Sequence, residues 1–144
     1  RDSAFVDASA ESGPAFALEW VSRGAASGDY DNDGDIDLLV TNGNGPAVLY
    51  RNDSPARHWL SVELVGVEDN RDAVGAHVQL RCGQQVQTRQ RLGGGSYLSA
   101  SDPRLHFGLG TCASVDELVI TWPSGQRQAL AGVSANQFLR VIQE

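Results

Sequence analysis

Five aspartates within nine residues form the clearest chemical feature of the sequence. They alternate along Asp29-Tyr30-Asp31-Asn32-Asp33-Gly34-Asp35-Ile36-Asp37, residues 29–37, called here the acidic loop. Calcium takes about six to eight hard oxygen ligands at about 2.3–2.6 Å, and a loop that curls round the ion supplies them from alternate residues. Glycine at the sixth position permits the sharp turn that other residues resist. We therefore predict one Ca²⁺ here, held by the side chains of Asp29, Asp31, Asp33 and Asp37 and by the backbone carbonyl of Asp35.

Other interpretations of the acidic loop fit less well. An EF-hand needs a bidentate Glu at the twelfth position and flanking helices. The twelfth residue is Val40, and the segment 36–40 has the apolar character of a strand. Magnesium keeps its waters and rarely occupies an all-protein cage, and no His or Cys is close enough in sequence to favour a transition metal. The remaining alternative is a solvated acidic turn without an ion, in which five carboxylates would repel one another.

The net charge of the chain is concentrated in this loop. The 144 residues contain 18 acidic and 11 basic side chains, which gives −7; without the five aspartates, 13 acidic residues face 11 basic ones, or −2. The acidity argues against a nucleic-acid partner, because phosphate binding needs a basic surface. No apolar run approaches the roughly 18–20 residues of a membrane span, so we expect the chain not to span a membrane. The near-neutral remainder is compatible with association between like subunits.

The hydrophobic pattern predicts strands nearly throughout. Leu60, Val62 and Leu64 alternate with polar residues, as do Leu118, Ile120 and Trp122 with their neighbours, and Gly, Pro, Asn and Asp mark the turns. Period-two alternation indicates strands with one buried face. Only residues 8–17 could form a short helix. We predict an all-β chain with residues 1–54 carrying the acidic loop and residues 55–144 forming a β-sandwich of six to eight strands.

Both parts of the chain resemble known families. The acidic loop with Leu38-Leu39-Val40-Thr41-Asn42 and Leu49-Tyr50-Arg51-Asn52 resembles an FG-GAP (VCBS-type) repeat. The later part resembles the ASPIC/UnbV domain through Asn70-Arg71-Asp72-Ala73-Val74-Gly75-Ala76, Gly93-Gly94-Gly95-Ser96-Tyr97-Leu98-Ser99 and Asp102-Pro103-Arg104-Leu105-His106-Phe107-Gly108-Leu109-Gly110. The resemblance implies a calcium loop between two strands, followed by a sandwich of the kind found in secreted proteins.

A single FG-GAP-like repeat leaves its hairpin without neighbours. A propeller needs at least about four blades of four strands, more than this chain holds. An isolated hairpin is marginal in water and its edge is a template for strand addition. The predicted hairpin, residues 36–41 and 47–51, must therefore pack on the sandwich of its own chain or pair with another chain.

The extracellular context that the resemblance implies suggests two further sites. Cys82 and Cys112 are the only cysteines, and we expect a disulfide, with two buried free thiols as the alternative. Asn52-Asp53-Ser54 has the N-glycosylation acceptor pattern.

No constellation of side chains predicts catalysis, so we expect that the protein is not an enzyme. The first hypothesis is a secreted, calcium-binding structural or adhesive protein that associates with copies of itself through strand edges into a filament or other homopolymer. The alternative is a monomeric extracellular module that binds a carbohydrate or a surface protein. Trp20, Trp59 and Trp122 are far apart in sequence and give no aromatic sugar platform.

Overall fold

The computed structural model describes residues 4–55 and 57–144, and these residues form an all-β fold. Residues 1–3, at the start of the predicted first domain, and residue 56, at the predicted domain boundary, lie outside the described residues. The strands are β1 (Ser22–Gly28), β2 (Asp37–Asn42), β3 (Val48–Tyr50), β4 (His58–Val65), β5 (His77–Cys82), β6 (Gln85–Gln90), β7 (Leu105–Gly110), β8 (Ser114–Thr121), β9 (Arg127–Ser134) and β10 (Gln137–Ile142).

Seven of these strands form the predicted sandwich. One sheet has the order β10-β4-β7 and the other the order β6-β5-β8-β9; β10 and β4 are parallel and the other pairs are antiparallel. The core between the two sheets is dominated by fully buried large side chains, among them Leu60, Val62, Leu80, Phe107, Leu118, Ile120 and Trp122. The alternation in the sequence predicted the inward positions of Leu60, Val62, Leu118, Ile120 and Trp122.

The same alternation gives the β10-β4-β7 sheet a second, outward face. On β4, Leu60, Val62 and Leu64 point into the core, so Trp59 and Ser61 point the other way. Phe138 on β10 is opposite Ser61, and so is His106 on β7. This outward face supports the acidic loop.

The predicted hairpin belongs to a three-stranded sheet. β2 pairs with β3 with Leu39 opposite Leu49, and β1 pairs with the other side of β2. The predicted hairpin is present as β2 and β3, and β1 adds a third strand that was not predicted, because its sequence SRGAASG has neither alternation nor strong strand propensity. Its small residues suit the close approach of another segment: a Cβ at Gly24 would lie 2.8 Å from Ser99 Oγ.

The outer edge of β1 is covered by a segment that precedes β7. The Asp102 N–H donates to the Ser27 carbonyl at 2.9 Å, and the Ala25 N–H donates to Ser99 Oγ, also at 2.9 Å. This edge therefore packs on its own chain, and β3 is the opposite edge of the sheet. The predicted choice between packing within the chain and pairing with another chain concerned β2 and β3, and it stays a prediction for the β3 edge.

Residues 8–17, where a short helix was considered, contain a 3-10 turn at Pro14–Ala17. Its Phe16 ring stacks on Tyr50 of β3 with ring centroids 5.4 Å apart. Within residues 4–55 and 57–144, no helix has the length and apolar character needed to cross a membrane.

Candidate metal centre

The acidic loop connects β1 to β2 and brings three carboxylates together. One oxygen from each of Asp29, Asp31 and Asp37 lies within 4.8 Å of the other two. Oxygens on opposite sides of a calcium ion are about 4.6–5.2 Å apart, twice the usual Ca–O distance. A single Ca²⁺ could therefore contact all three side chains without a change in the loop.

Backbone amides hold two of these carboxylates in place. Asp29 accepts from the N–H groups of Asp33 at 3.1 Å and Gly34 at 3.0 Å, and Asp37 accepts from those of Tyr30 at 3.1 Å and Asn52 at 2.8 Å. These bonds close the loop on itself and attach it to the chain after β3. Because each carboxylate keeps lone pairs free, the arrangement is compatible with metal coordination.

The side-chain carboxylates of these two aspartates form no ion pair with a basic side chain among the described residues, although Arg104 donates to the backbone carbonyl of Asp29. Asp29 and Asp37 are only 4% and 3% exposed. The ion pairs formed by residues 4–55 and 57–144 all involve other carboxylates. Buried charges in proteins are normally paired or bound to a metal, since desolvation otherwise disfavours the ionised form. The site therefore has the charge and the hard oxygen donors of a divalent-cation site.

Asp33 and Asp35 lie in the same loop outside this three-carboxylate cluster. Asp33 Oδ1 accepts from the Asp35 N–H at 2.9 Å, which turns the chain before β2. Desolvation and then repulsion from Asp33, with smaller effects of Asp29 and Asp37, raise the pKa of Asp35 against the opposing effect of His106. The ligand roles of the Asp33 side chain and the Asp35 carbonyl stay predictions.

Gly34 is where the loop contacts the sandwich most closely. Its φ of +99° is a conformation that side-chain-bearing residues rarely adopt. A Cβ on Gly34 would collide with the indole ring of Trp59 on β4. Glycine is thus required both by the turn and by the fit of the loop against the outward face of the sandwich.

Aromatic and charged residues of the sandwich surround Trp59. The indole is 6.1 Å from the His106 ring in a stacked arrangement and 4.9 Å from the Phe138 ring. Arg104 places its guanidinium carbon 4.6 Å from the centroid of Phe138. Burial lowers the pKa of His106, although the charges of Asp29 and Asp35 act in the opposite direction. The acidic loop therefore rests on an aromatic base formed by Trp59, His106 and Phe138.

The cysteine prediction is confirmed. Cys82 at the end of β5 and Cys112 after β7 form a disulfide, with Cα atoms 6.5 Å apart. It ties the end of β5 to the segment that connects β7 to β8, the strand next to β5 in its sheet.

Asn52 forms a turn beside the candidate metal centre. Its side-chain oxygen accepts from the Ser54 N–H at 3.1 Å and from Ser54 Oγ at 2.6 Å, and its own N–H is the donor to Asp37. Its glycosylation stays a prediction.

Sequence reasoning missed the sandwich residues that support the loop. Arg104 and His106 stand out in the sequence only as part of a family resemblance, and Trp59 only as one of three scattered tryptophans. A signal was present: Trp59 precedes Leu60 in a strand whose even-numbered residues are apolar, which places a large aromatic ring on the outward face. Such a ring is more often covered than exposed.

Comparison with known proteins relates the chain to one family model and to relatives from three organisms that share one name. A family model described as ASPIC and UnbV matches residues 66–144. Cartilage acidic protein 1 from Mus musculus is 30% identical over 141 residues and that from Homo sapiens 32% identical over 141 residues, each across 92% of this chain. The Xenopus tropicalis protein of the same name is 32% identical over 108 residues, or 72% of this chain.

The family model and the curated relatives match different lengths of this chain, and the chain matches only part of each relative. The chain spans about a fifth of the length of the curated relatives it matches, 22% for the mouse protein and 21% for the human one. The family match starts at residue 66 and so does not include the acidic loop. The resemblance of residues 28–52 to an FG-GAP repeat therefore stays a prediction.

Proposed function

The chain belongs to the ASPIC and UnbV family, and from this premise we propose that it is an extracellular, non-enzymatic structural protein whose acidic loop binds one Ca²⁺. The observation that carries the proposal is the pair of buried carboxylates, Asp29 and Asp37, which form no side-chain ion pair among the described residues and lie beside Asp31. The ion would neutralise this charge and fasten β1 to β2 at the point where the loop meets the sandwich.

Calcium titration calorimetry tests the proposal directly. We expect one calcium per chain in the wild-type protein, and a rise in melting temperature of roughly 5–10 °C at a hundredfold excess over Kd, since that excess contributes about 2.7 kcal/mol. Asp31→Asn removes one ligand charge and should weaken binding on the order of tenfold. Asp72→Asn, at an exposed aspartate of the sandwich, is the matched control and should bind normally. A wild-type protein that binds no calcium would refute the metal site.

An extracellular location is supported by the disulfide. Disulfides persist in oxidising compartments and are rare in the cytosol. The Cys82–Cys112 bond ties the end of β5 to the segment between β7 and β8, so a reducing compartment would remove this link. Intact-mass measurement of protein from its natural source, with and without reductant, tests this part of the proposal.

Self-association through strand edges is supported by the two edges of the three-stranded sheet. β1 is covered within the chain, whereas β3 is the other edge. Leu39 and Leu49, opposite each other on β2 and β3, are 43% and 46% exposed. An edge next to an exposed apolar pair favours pairing with a second copy. The calcium-bound loop would hold β2 in register for this contact.

Light scattering with calcium and with a chelator tests the assembly. We expect calcium-dependent growth in mass that Leu49→Lys abolishes, because a charge beside the β3 edge opposes pairing. Val86→Lys, at an exposed position of β6, is the control. A monomer at high concentration in calcium would contradict self-association without bearing on the metal site.

A monomeric binding module is the second candidate, favoured by a groove next to the same sheet. The groove has a volume of about 530 Å³ and is lined mainly by apolar atoms, with Tyr30, Leu39, Leu49 and Pro103 on its walls. Its apolar character favours a surface protein over a carbohydrate as the ligand. Trp122 is in the core and Trp59 is under the acidic loop, so neither adds to an exposed sugar platform.

A further inference from the structure

Arg104 joins the sandwich to the backbone of the acidic loop. Its Nη2 donates to the Asp29 carbonyl oxygen at 2.8 Å, and its Nη1 donates to Asn32 Oδ1 at 2.7 Å. Asp29 carries a carboxylate of the candidate site, and Asn32 has a φ of +60°, which few non-glycine residues adopt. One guanidinium thus contacts the loop at its first residue and at its left-handed turn.

The orientation of Arg104 is fixed from its own side. Asp102 accepts from Arg104 Nε at 2.8 Å and from its Nη2, and the guanidinium lies over the Phe138 ring. Burial acts to raise the pKa of Asp102, but the hydrogen bonds from the Arg104 side chain and N–H outweigh it and lower that pKa. The pair is largely buried, with side chains 24% and 19% exposed for Arg104 and Asp102. A buried, bidentate pair of this kind is a rigid donor platform.

We propose that Arg104 is a positioning residue that fixes the acidic loop in its chelating shape, so that the sandwich sets the calcium affinity of the loop. The inference rests on the proposed calcium site for its affinity part. Its mechanical part, the fixing of the loop by Arg104, is independent of the ion. By linkage, calcium binding would in turn stabilise the contact between the loop and the sandwich.

The direction in which removal of Arg104 changes the calcium Kd distinguishes positioning of the loop from a simple effect of charge. If Arg104 acted only through its positive charge, its removal would lower repulsion of the cation and tighten calcium binding. If it positions the loop, its removal frees the Asp29 carbonyl and the Asn32 side chain and weakens binding. The two explanations predict opposite changes in Kd.

The test compares Arg104→Gln with Arg140→Gln by calcium titration calorimetry. Arg140 is the matched control because it lies on the same sheet and pairs with Glu63, but its side chain is 59% exposed. We expect Kd to rise at least tenfold for Arg104→Gln and to change less than twofold for Arg140→Gln. An unchanged or lower Kd for Arg104→Gln would overturn the inference.

A second variant guards against a general folding defect in Arg104→Gln. Asn32→Gly keeps the positive φ accessible and removes only the acceptor of Nη1, so it should raise Kd about threefold or more. Combined with Arg104→Gln it should add little, because both changes break the same contact. Full additivity of the two effects would overturn the inference.

Amide exchange in calcium-free buffer decides the mechanical part even if no calcium binds. The N–H groups of Asp33 and Gly34 donate to Asp29 within the loop. Arg104→Gln should speed their exchange at least tenfold relative to Arg140→Gln, with the sandwich strands unchanged. Equal exchange in the two variants would overturn the inference, whereas faster exchange without calcium binding in the wild type would refute only the proposed metal site.

Discussion

Gly34 and Trp59 make the contact on which the fit of the acidic loop to the sandwich depends. The Gly34 N–H donates to the buried carboxylate of Asp29, and its Cα faces the indole ring so closely that no Cβ fits. The same residue therefore shapes the candidate metal centre and seats the loop on the outward face of the β10-β4-β7 sheet.

Gly34→Ala should disrupt both roles. The positive φ alone costs an alanine about 1–2 kcal/mol, and the collision with Trp59 adds to that. Gly125→Ala is the matched control, since Gly125 has a φ of +90° and a Cβ added there would meet no atom within 4 Å. Urea denaturation should show a larger loss of unfolding free energy for Gly34→Ala than for Gly125→Ala, and only Gly34→Ala should lose calcium affinity. Equal losses of unfolding free energy in the two variants would show that the Trp59 contact is unimportant.

Asp35→Asn should separate repulsion from ligation within the loop. The raised pKa of Asp35 means that its ionised form is disfavoured in the folded protein, so neutralising it should stabilise the calcium-free protein at neutral pH. The backbone carbonyl is retained, so calcium affinity should fall less than in Asp31→Asn. Thermal melts in chelator and calcium titration measure the two effects. Loss of calcium affinity as large as that of Asp31→Asn would show that the Asp35 side chain is itself a ligand.

His106 should make the calcium-free protein less stable in mild acid. Its pKa in the folded state is below the ordinary 6.5, so the unfolded chain binds the proton first as the pH falls. The stability that the neutral imidazole contributes is present above pH 6.5 and declines as the pH falls towards the lowered pKa. Urea midpoints between pH 8 and pH 5, in chelator, should show this slope. His106→Gln should flatten it, and His77→Gln, at an exposed position of β5, should not.

The Cys82–Cys112 disulfide should contribute strongly to the stability of the sandwich. The bond closes a loop with a sequence separation of 30 residues. Loop-closure entropy of that length corresponds to roughly 3–4 kcal/mol. The double variant Cys82→Ala/Cys112→Ala should therefore lower the free energy of unfolding by about that amount in urea denaturation. An unchanged urea midpoint would contradict a structural role for the bond.

Much of the sandwich was predictable from the sequence, because its buried faces depend on the alternation of apolar and polar residues along single strands. The alternation at Leu60, Val62 and Leu64 sets which face of β4 is buried, and burial of apolar side chains dominates folding. β1 was not predictable, because its residues are small and its pairing is decided by β2 on one side and by residues 99–102 on the other. Strand propensity has little weight where the neighbouring segments supply the hydrogen bonds.

The chemistry of the acidic loop follows from local sequence, because the number of carboxylates, their alternate spacing and the glycine that turns the chain are all local features. Folding of the chain sets which carboxylates meet: Asp29, Asp31 and Asp37 form one cluster, and Asp33 caps the turn. It alone placed Arg104, which is 72 residues from Asn32 along the chain, against the loop. The physical reason is that ligand identity is a property of residue type, whereas ligand geometry depends on contacts between segments that no local pattern specifies.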